Sequence, residues 1–228
     1  MKNCTLFNYA DDDTLFYAHS NLDQLVKCIT EDTQTAVNWF IKNGMKANPD
    51  KFQAIVSHRS LSPNVTFHIS GSSIKTTECV TLLGIKIDRK LTFTEHIHSL
   101  CRKAGKQLNV LKRMSNTLSH SNKMLIFNTF ILSNFNYCPL IWNFCSKSCV
   151  LMMEKIQERA IRFVLKDNIS DYTTLLSKCK RKTLQHYRSD KIAIQVYKSL
   201  HNISPSYVND IFCEKHMNYN VRKSSVLI

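Results

Sequence analysis

The chain has 228 residues, 43% of them hydrophobic, with only four Gly and four Pro. That is enough apolar material for one large domain or two small ones, and too little Gly and Pro for a disordered tail or a flexible linker. Lys and Arg number 31 against 17 Asp and Glu, a formal net charge of +14, which favours polyanionic partners, nucleic acid first among them, through counterion release.

Thr5 to Ala10 and Thr14 to Ala18 are rich in Phe, Tyr, Leu and Thr, and Asp11, Asp12 and Asp13 separate them. Two β-prone runs around a short polar break predict a hairpin. From Asn21 to Asn43 the residues Leu22, Leu25, Val26, Ile29, Ala36, Val37 and Phe40 follow a 3.6-residue period, and Gly44 sits where a left-handed cap ends a helix. Ala47-Asn48-Pro49-Asp50 is a turn, and Phe52 to Ser57 reads as a strand. Val65, Phe67 and Ile69 alternate with polar residues before a turn at Ser70 to Ser73. Val80 to Ile87 is a further extended run, broken by Gly84.

After about Thr94 helical periodicity takes over. Ile97, Leu100, Ala104, Leu108 and Leu111 form one apolar face, while Arg102, Lys106 and Arg113 overlay on another. The helix around Val150 to Lys166 repeats the plan, with Met153, Ile156, Ala160 and Val164 apolar and Lys155, Arg159, Arg162 and Lys166 as a basic stripe. A third amphipathic stretch spans about Thr183 to His201. The fold class expected is α+β: a mixed region over residues 1–95, then a helical region over residues 96–228.

The N-terminal MKNCTLFNYADDD turns acidic before any apolar signal region develops, so no signal peptide is read there, and an intracellular chain, nuclear or cytoplasmic, is expected. The nine cysteines fit reduced thiols. Cys138, Cys145 and Cys149 lack the paired spacing of a zinc ribbon. Met124 to Trp142 is the most apolar stretch, but Asn128, Asn134, Asn136 and Pro139 interrupt it, so it reads as buried core rather than a bilayer span.

The sharpest chemical feature is Tyr9-Ala10-Asp11-Asp12. Adjacent carboxylates on a hairpin tip repel one another unless a cation neutralises them, and magnesium prefers such hard oxygen ligands. The alternative reading is a solvated Asp-rich turn.

These four residues resemble the catalytic YxDD box of reverse transcriptases, in the YADD form typical of non-LTR, LINE-type retrotransposons. Further segments follow in the family's order. Trp39 and Asn43-Gly44-Met45-Lys46-Ala47-Asn48-Pro49-Asp50-Lys51 resemble the next palm motif. Leu82-Leu83-Gly84-Ile85-Lys86-Ile87-Asp88 resembles the primer-grip hairpin. Leu91 to Ile97 and Cys101-Arg102-Lys103-Ala104 resemble the start of the thumb. Tyr137-Cys138-Pro139-Leu140-Ile141-Trp142 and Lys155-Ile156-Gln157-Glu158-Arg159-Ala160 are similar to segments of the same group.

The resemblance implies a partial polymerase palm over residues 1–95 and a thumb with a helical extension over 96–228. Asp11 and Asp12 would be ligands of Mg²⁺ or Mn²⁺, and Lys51 would neutralise or protonate the departing pyrophosphate. Tyr9 would pack beneath the primer terminus, and Gly84 would let backbone approach the primer end. For each of these three an ordinary structural role stays open: core aromatic, strand lysine, turn glycine. Arg102, Lys106 and Arg113, with Lys155, Arg159 and Arg162, would meet backbone phosphates of an RNA template and DNA primer. Asp13 departs from the family, where an uncharged residue is usual. The fingers and an earlier aspartate lie well before the box in the family, so these 228 residues are expected to be a truncated RNA-directed DNA polymerase, inactive alone, whose missing half could act as a partner. A non-catalytic basic nucleic-acid-binding module and a purely structural helical protein are the alternatives.

Overall fold

The computed structural model describes residues 1–58, 64–114 and 116–212, together with the backbone of two short strands near the C-terminus. The chain divides into two units, Met1–Phe93 and Thr94–Ile228.

The first unit is built from three β-hairpins and one long helix. β1 (Thr5–Tyr9) pairs antiparallel with β2 (Asp12–Phe16), Tyr9 opposite Asp12 and Asn8 opposite Asp13. The turn holds only Ala10 and Asp11, so Asp12 and Asp13 lie inside the second strand, where three aspartates had been expected to form the break. Ala10 takes a left-handed φ of 55°, which costs a residue with a Cβ about 1–2 kcal/mol. α1 (Leu22–Lys42) starts on an Asn21 side chain that accepts from the Gln24 N–H.

β3 (Thr66–Ile69) and β4 (Ser72–Lys75) turn at Ser70 and Gly71, both at positive φ, as a two-residue hairpin requires. The Gln34 side chain of α1 ties that turn down: it accepts from the Ser70 N–H at 2.8 Å and donates to Ser70 Oγ at 2.8 Å. Val37 of α1 packs with Val56, Val65, Phe67, Ile69 and Ile74 as this unit's core. The expected strand at Phe52 to Ser57 does not form. A 3₁₀ turn (Pro49–Lys51) leads into an extended segment whose one ladder pairing among the described residues is a parallel bridge, Ala54 to Thr76. Phe52, Ala54 and Val56 still turn towards the core, so the apolar pattern reports burial without a full ladder.

β5 (Cys79–Leu82) and β6 (Ile85–Asp88) turn at Leu83 and Gly84, with φ of 46° and 80°. Arg89, buried just after β6, locks three segments together. It donates to the Thr77 carbonyl at 3.0 Å, to Thr76 Oγ1 at 3.1 Å and to Asn64 Oδ1 at 3.3 Å, and pairs with Glu78 at 3.2 Å.

The second unit is helical. α2 (Thr94–Arg113) packs on α4 (Lys147–Leu165), with α3 (His120–Ile126) followed by a π turn (Phe127–Ile131) and a 3₁₀ turn (Leu132–Phe135). α5 (Tyr172–Lys178), α6 (Leu184–Leu200) and α7 (Ser206–Asn209) follow, and β7 (Glu214–Lys215) pairs with β8 (Val226–Leu227). Ile97, Ala104, Leu108 and Leu111 of α2 are buried as the periodicity predicts, as are Met153, Ile156, Ala160 and Val164 of α4; Cys101 rather than Leu100 completes the first face.

The apolar stretch Met124 to Trp142 is only half buried. Phe127, Ile131, Leu132, Phe135 and Trp142 face inward, while Leu125, Phe130, Tyr137 and Ile141 are exposed. No described helix is long and apolar enough to cross a membrane, and no disulfide joins the described cysteines. Leu108 is fully buried between α2 and its neighbours, so Leu108→Ala is expected to cost about 2–5 kcal/mol in urea unfolding, whereas the exposed Val110→Ala should stay within about 0.5 kcal/mol.

Candidate nucleic-acid and metal site

The acidic tip combines three properties. Asp11 sits in the turn and Asp12 opens β2, so both carboxylates stand at the end of the hairpin and both are exposed. Among the described residues neither makes a hydrogen bond or an ion pair. Asp13 differs: its carboxylate accepts a hydrogen bond from the Asn8 side chain directly across the hairpin. Strand alternation puts Asp13 on the opposite face from Asp12. Tyr9, opposite Asp12, shares the latter's face with Phe7 and Phe16, and the three rings are 67%, 57% and 57% exposed.

Carboxylate oxygens suit Mg²⁺ or Mn²⁺, and the two uncommitted groups fit part of such an ion's shell. Among the described residues no group of three or more His, Cys, Asp or Glu side chains converges as a self-contained metal site. Lys51 ends the 3₁₀ turn after α1, exposed, with no hydrogen bond to the acidic tip. Gly84 is a turn residue at positive φ, a conformation the two-residue hairpin demands whatever else approaches it.

The hairpin is held at its base by a residue the sequence reading passed over. Asp32 of α1 is only 2% exposed. Its carboxylate accepts from the backbone N–H groups of Lys2 at 3.0 Å, Asn3 at 2.8 Å and Cys4 at 2.7 Å. Burial alone pushes that carboxyl up, but the backbone N–H donors outweigh it and hold the group at about 2. Burial and the nearby Asp32 carboxylate push the Cys4 thiol up to about 12, so it stays protonated, and its Sγ donates to the Cys28 carbonyl at 3.8 Å. Asp32 follows Cys28 by four residues and Ile29 by three, within the apolar stripe of α1. An acid on a buried stripe was the available signal.

The basic residues separate into two kinds. Arg102, Lys106 and Arg113 are exposed along α2 and make no ion pair among the described residues. No Asp or Glu occurs between Glu95 and Glu154. On α4, Lys155 and Arg159 are exposed, but Arg162 is committed to the fold. It pairs with Glu158 at 2.6 Å and donates to the Ser170 carbonyl at 2.8 Å, closing the loop after α4. Glu154 accepts from the Tyr172 hydroxyl at 2.6 Å and from the Gln185 N–H at 2.8 Å, which caps the start of α6. The charge is also unevenly shared: Met1–Phe93 carries 10 Lys and Arg against 9 Asp and Glu, the remainder of the chain 21 against 8.

An acidic hairpin tip in one unit and, in the next, a cationic helix with no acid after Glu95 are the features of a candidate nucleic-acid site. Comparison with curated proteins agrees. The chain is 24% identical over 168 residues to a probable RNA-directed DNA polymerase from transposon BS of Drosophila melanogaster, covering 72% of this chain and 18% of that protein. It is 24% identical over 159 residues to the RNA-directed DNA polymerase from mobile element jockey of Drosophila funebris, covering 68% and 17%. A third relative, the probable RNA-directed DNA polymerase from transposon X-element of Drosophila melanogaster, is 25% identical over 167 residues, covering 70% and 18%. The chain is thus related to the reverse transcriptases of non-LTR retrotransposons, and the matched region is under a fifth of each of those proteins. No family model matches the chain, and no solved structure does.

Arg162→Gln should destabilise the chain by about 1–3 kcal/mol in urea unfolding, since it leaves Glu158 and the Ser170 carbonyl without their donor, while Arg102→Gln should change stability by less than about 0.5 kcal/mol. Asp32 gives a pH signature. Its folded value of about 2 lies below the ordinary 3.8, so the folded chain binds fewer protons there. Its contribution is complete above pH 3.8 and is lost as pH falls through about 2, so unfolding free energy followed by circular dichroism should fall less steeply across that acid range in Asp32→Asn than in wild type.

Proposed function

We propose that Asp11 and Asp12 form one half of a divalent-cation cradle for nucleotidyl transfer in RNA-directed DNA synthesis, and that the exposed cationic face of α2 holds the template–primer backbone. The observation that carries this reading is the pair of exposed, uncommitted carboxylates on a short hairpin turn, in a chain related to RNA-directed DNA polymerases. Mg²⁺ or Mn²⁺ bound there would offset the charge of the nucleotide phosphates and activate the primer hydroxyl. The chain's own part is to fix two ligand carboxylates on a rigid turn, with Tyr9 beside them as an aromatic surface for the primer end. Lys51 is proposed as a proton or charge donor to the leaving pyrophosphate, and Gly84 as the low-profile turn of the primer grip.

On this reading Met1–Phe93 is palm-like and the helical unit thumb-like. Among the described residues the two carboxylates are short of a full catalytic ligand set, so these 228 residues by themselves should not extend a primer. Of the two basic stripes, α2 is the better phosphate surface. Its cations have no acidic neighbours in sequence, whereas α4 interleaves Glu154 and Glu158 and uses Arg162 internally. The uneven charge also supports a second reading, a non-catalytic nucleic-acid-binding module resting on the helical unit alone.

Filter binding to an RNA–DNA duplex across a salt series separates these readings. The triple variant Arg102→Gln, Lys106→Gln, Arg113→Gln should lower the salt slope by about 2–3, at roughly 0.9 per phosphate contact, while Lys155→Gln with Arg159→Gln should lower it less. Addition of Mn²⁺ should tighten duplex binding by wild type and not by Asp11→Ala or Asp12→Ala. Tightening that survives in both variants favours the non-catalytic module, and robust primer extension by wild type alone contradicts the incomplete ligand set.

A further inference from the structure

We infer that Asp32 is a positioning residue for the acidic tip: a buried carboxylate that sets the direction of the β1–β2 hairpin by gathering the three backbone N–H groups just before β1. The inference rests on the metal reading of Asp11 and Asp12, but its geometry stands apart from it.

Besides Asp32 the hairpin has few ties: β2 touches α1, and the Tyr17 side chain just after β2 hydrogen-bonds that of Cys28 on α1. All five residues of β1 are exposed, and in β2 only Thr14 and Leu15 are partly buried. A two-stranded hairpin with so small an apolar contribution is marginal in water. Its turn carries an alanine in the left-handed region, and two free carboxylates of like charge stand side by side at its end. These features favour fraying, yet a catalytic cradle needs its ligands held within a fraction of an ångström.

Asp32 supplies the missing constraint. One oxygen accepts from Asn3 at 2.8 Å and Cys4 at 2.7 Å, and both oxygens receive the Lys2 N–H at 3.0 and 3.1 Å. Cys4 is the residue immediately before β1, so the last of these bonds fixes the strand's starting point and heading. The Cys4 thiol adds a weak tie to the Cys28 carbonyl, one turn earlier on α1. Charge-assisted bonds of this kind are about twice as strong as neutral ones, and here they are shielded from water. α1 is in turn seated on β3 and β4 through Val37 and Gln34. The chain of connection runs from the unit's core through α1 and Asp32 to the hairpin and its carboxylates. These bonds use backbone donors, so a proline at residues 2–4, which has no N–H, would remove one.

Amide hydrogen exchange on the full chain tests this. Asp32→Ala should speed exchange of the β1 and β2 ladder amides by about tenfold or more, while Phe67 and Ile69 in β3 keep their protection. Asp32→Asn, which retains an oxygen acceptor without the charge, should fall between the two. In parallel, Mn²⁺ broadening of the Asp11 and Asp12 amide resonances should need several-fold more Mn²⁺ in Asp32→Ala than in wild type. Unchanged hairpin exchange in both variants overturns the inference. So does an equal loss of protection in β3, which would make Asp32 a general stabiliser of the unit. Absence of Mn²⁺ broadening in wild type defeats the metal reading instead, and the exchange data then decide the anchor alone.

Discussion

Three successive backbone N–H groups, from Lys2, Asn3 and Cys4, converge on one carboxylate that has almost no contact with water. A buried charge is costly unless its hydrogen-bonding capacity is filled, and Asp32 fills it entirely from the main chain. The consequence reaches beyond the contact itself. β1 begins at the next residue, and the hairpin it forms buries too little to orient itself. Its tip carries the two carboxylates proposed to hold a metal ion. On that proposal stability and site geometry share a constraint placed on a helix rather than at the tip. Asp11 and Asp12 themselves make no side-chain hydrogen bond or ion pair among the described residues.

Charge divides along the same boundary as structure. The first unit is close to neutral and concentrates its acids locally, three in succession at the hairpin. The helical unit carries nearly the whole excess of Lys and Arg, and its first helix has no acidic residue after Glu95. Surface cations that lack acidic neighbours keep their potential instead of spending it in ion pairs, and a phosphate backbone is the polyanion such a surface suits. α4 illustrates the opposite case. Its stripe looks equally basic on a helical wheel, but Arg162 closes a loop through Glu158 and Ser170, and Glu154 caps α6. Spacing alone does not separate a phosphate-facing arginine from a fold-building one; the neighbouring acids do.

Local patterning carried much of the architecture. β-prone runs on either side of the aspartates marked a hairpin, and the 3.6 period marked α1, α2, α4 and α6 with small errors at their ends. The buried positions of α2 and α4 were legible because one apolar stripe faces one neighbour. Phe52 to Ser57 misled because a buried extended segment and a paired strand share one apolar pattern, and pairing depends on where other segments run. Met124 to Trp142 misled because composition does not say which face is buried when the helix changes pitch through π and 3₁₀ turns. Asp32 and Arg89 went unread for a common reason. Each acts on backbone groups from other parts of the chain: Asp32 on residues 2–4, Arg89 on the Thr77 carbonyl. Such partners are set by the fold; an acid on a buried stripe signals a partner without saying which.

The decisive property is whether the two carboxylates at the hairpin end take up a divalent cation. Crystals of the chain grown with an RNA–DNA primer–template and Mn²⁺, with data collected at the manganese absorption edge, measure this directly. An anomalous peak within about 2.3 Å of carboxylate oxygens of both Asp11 and Asp12 is the expected result. Manganese bound only elsewhere, with those two side chains facing bulk solvent beside the duplex, would contradict it.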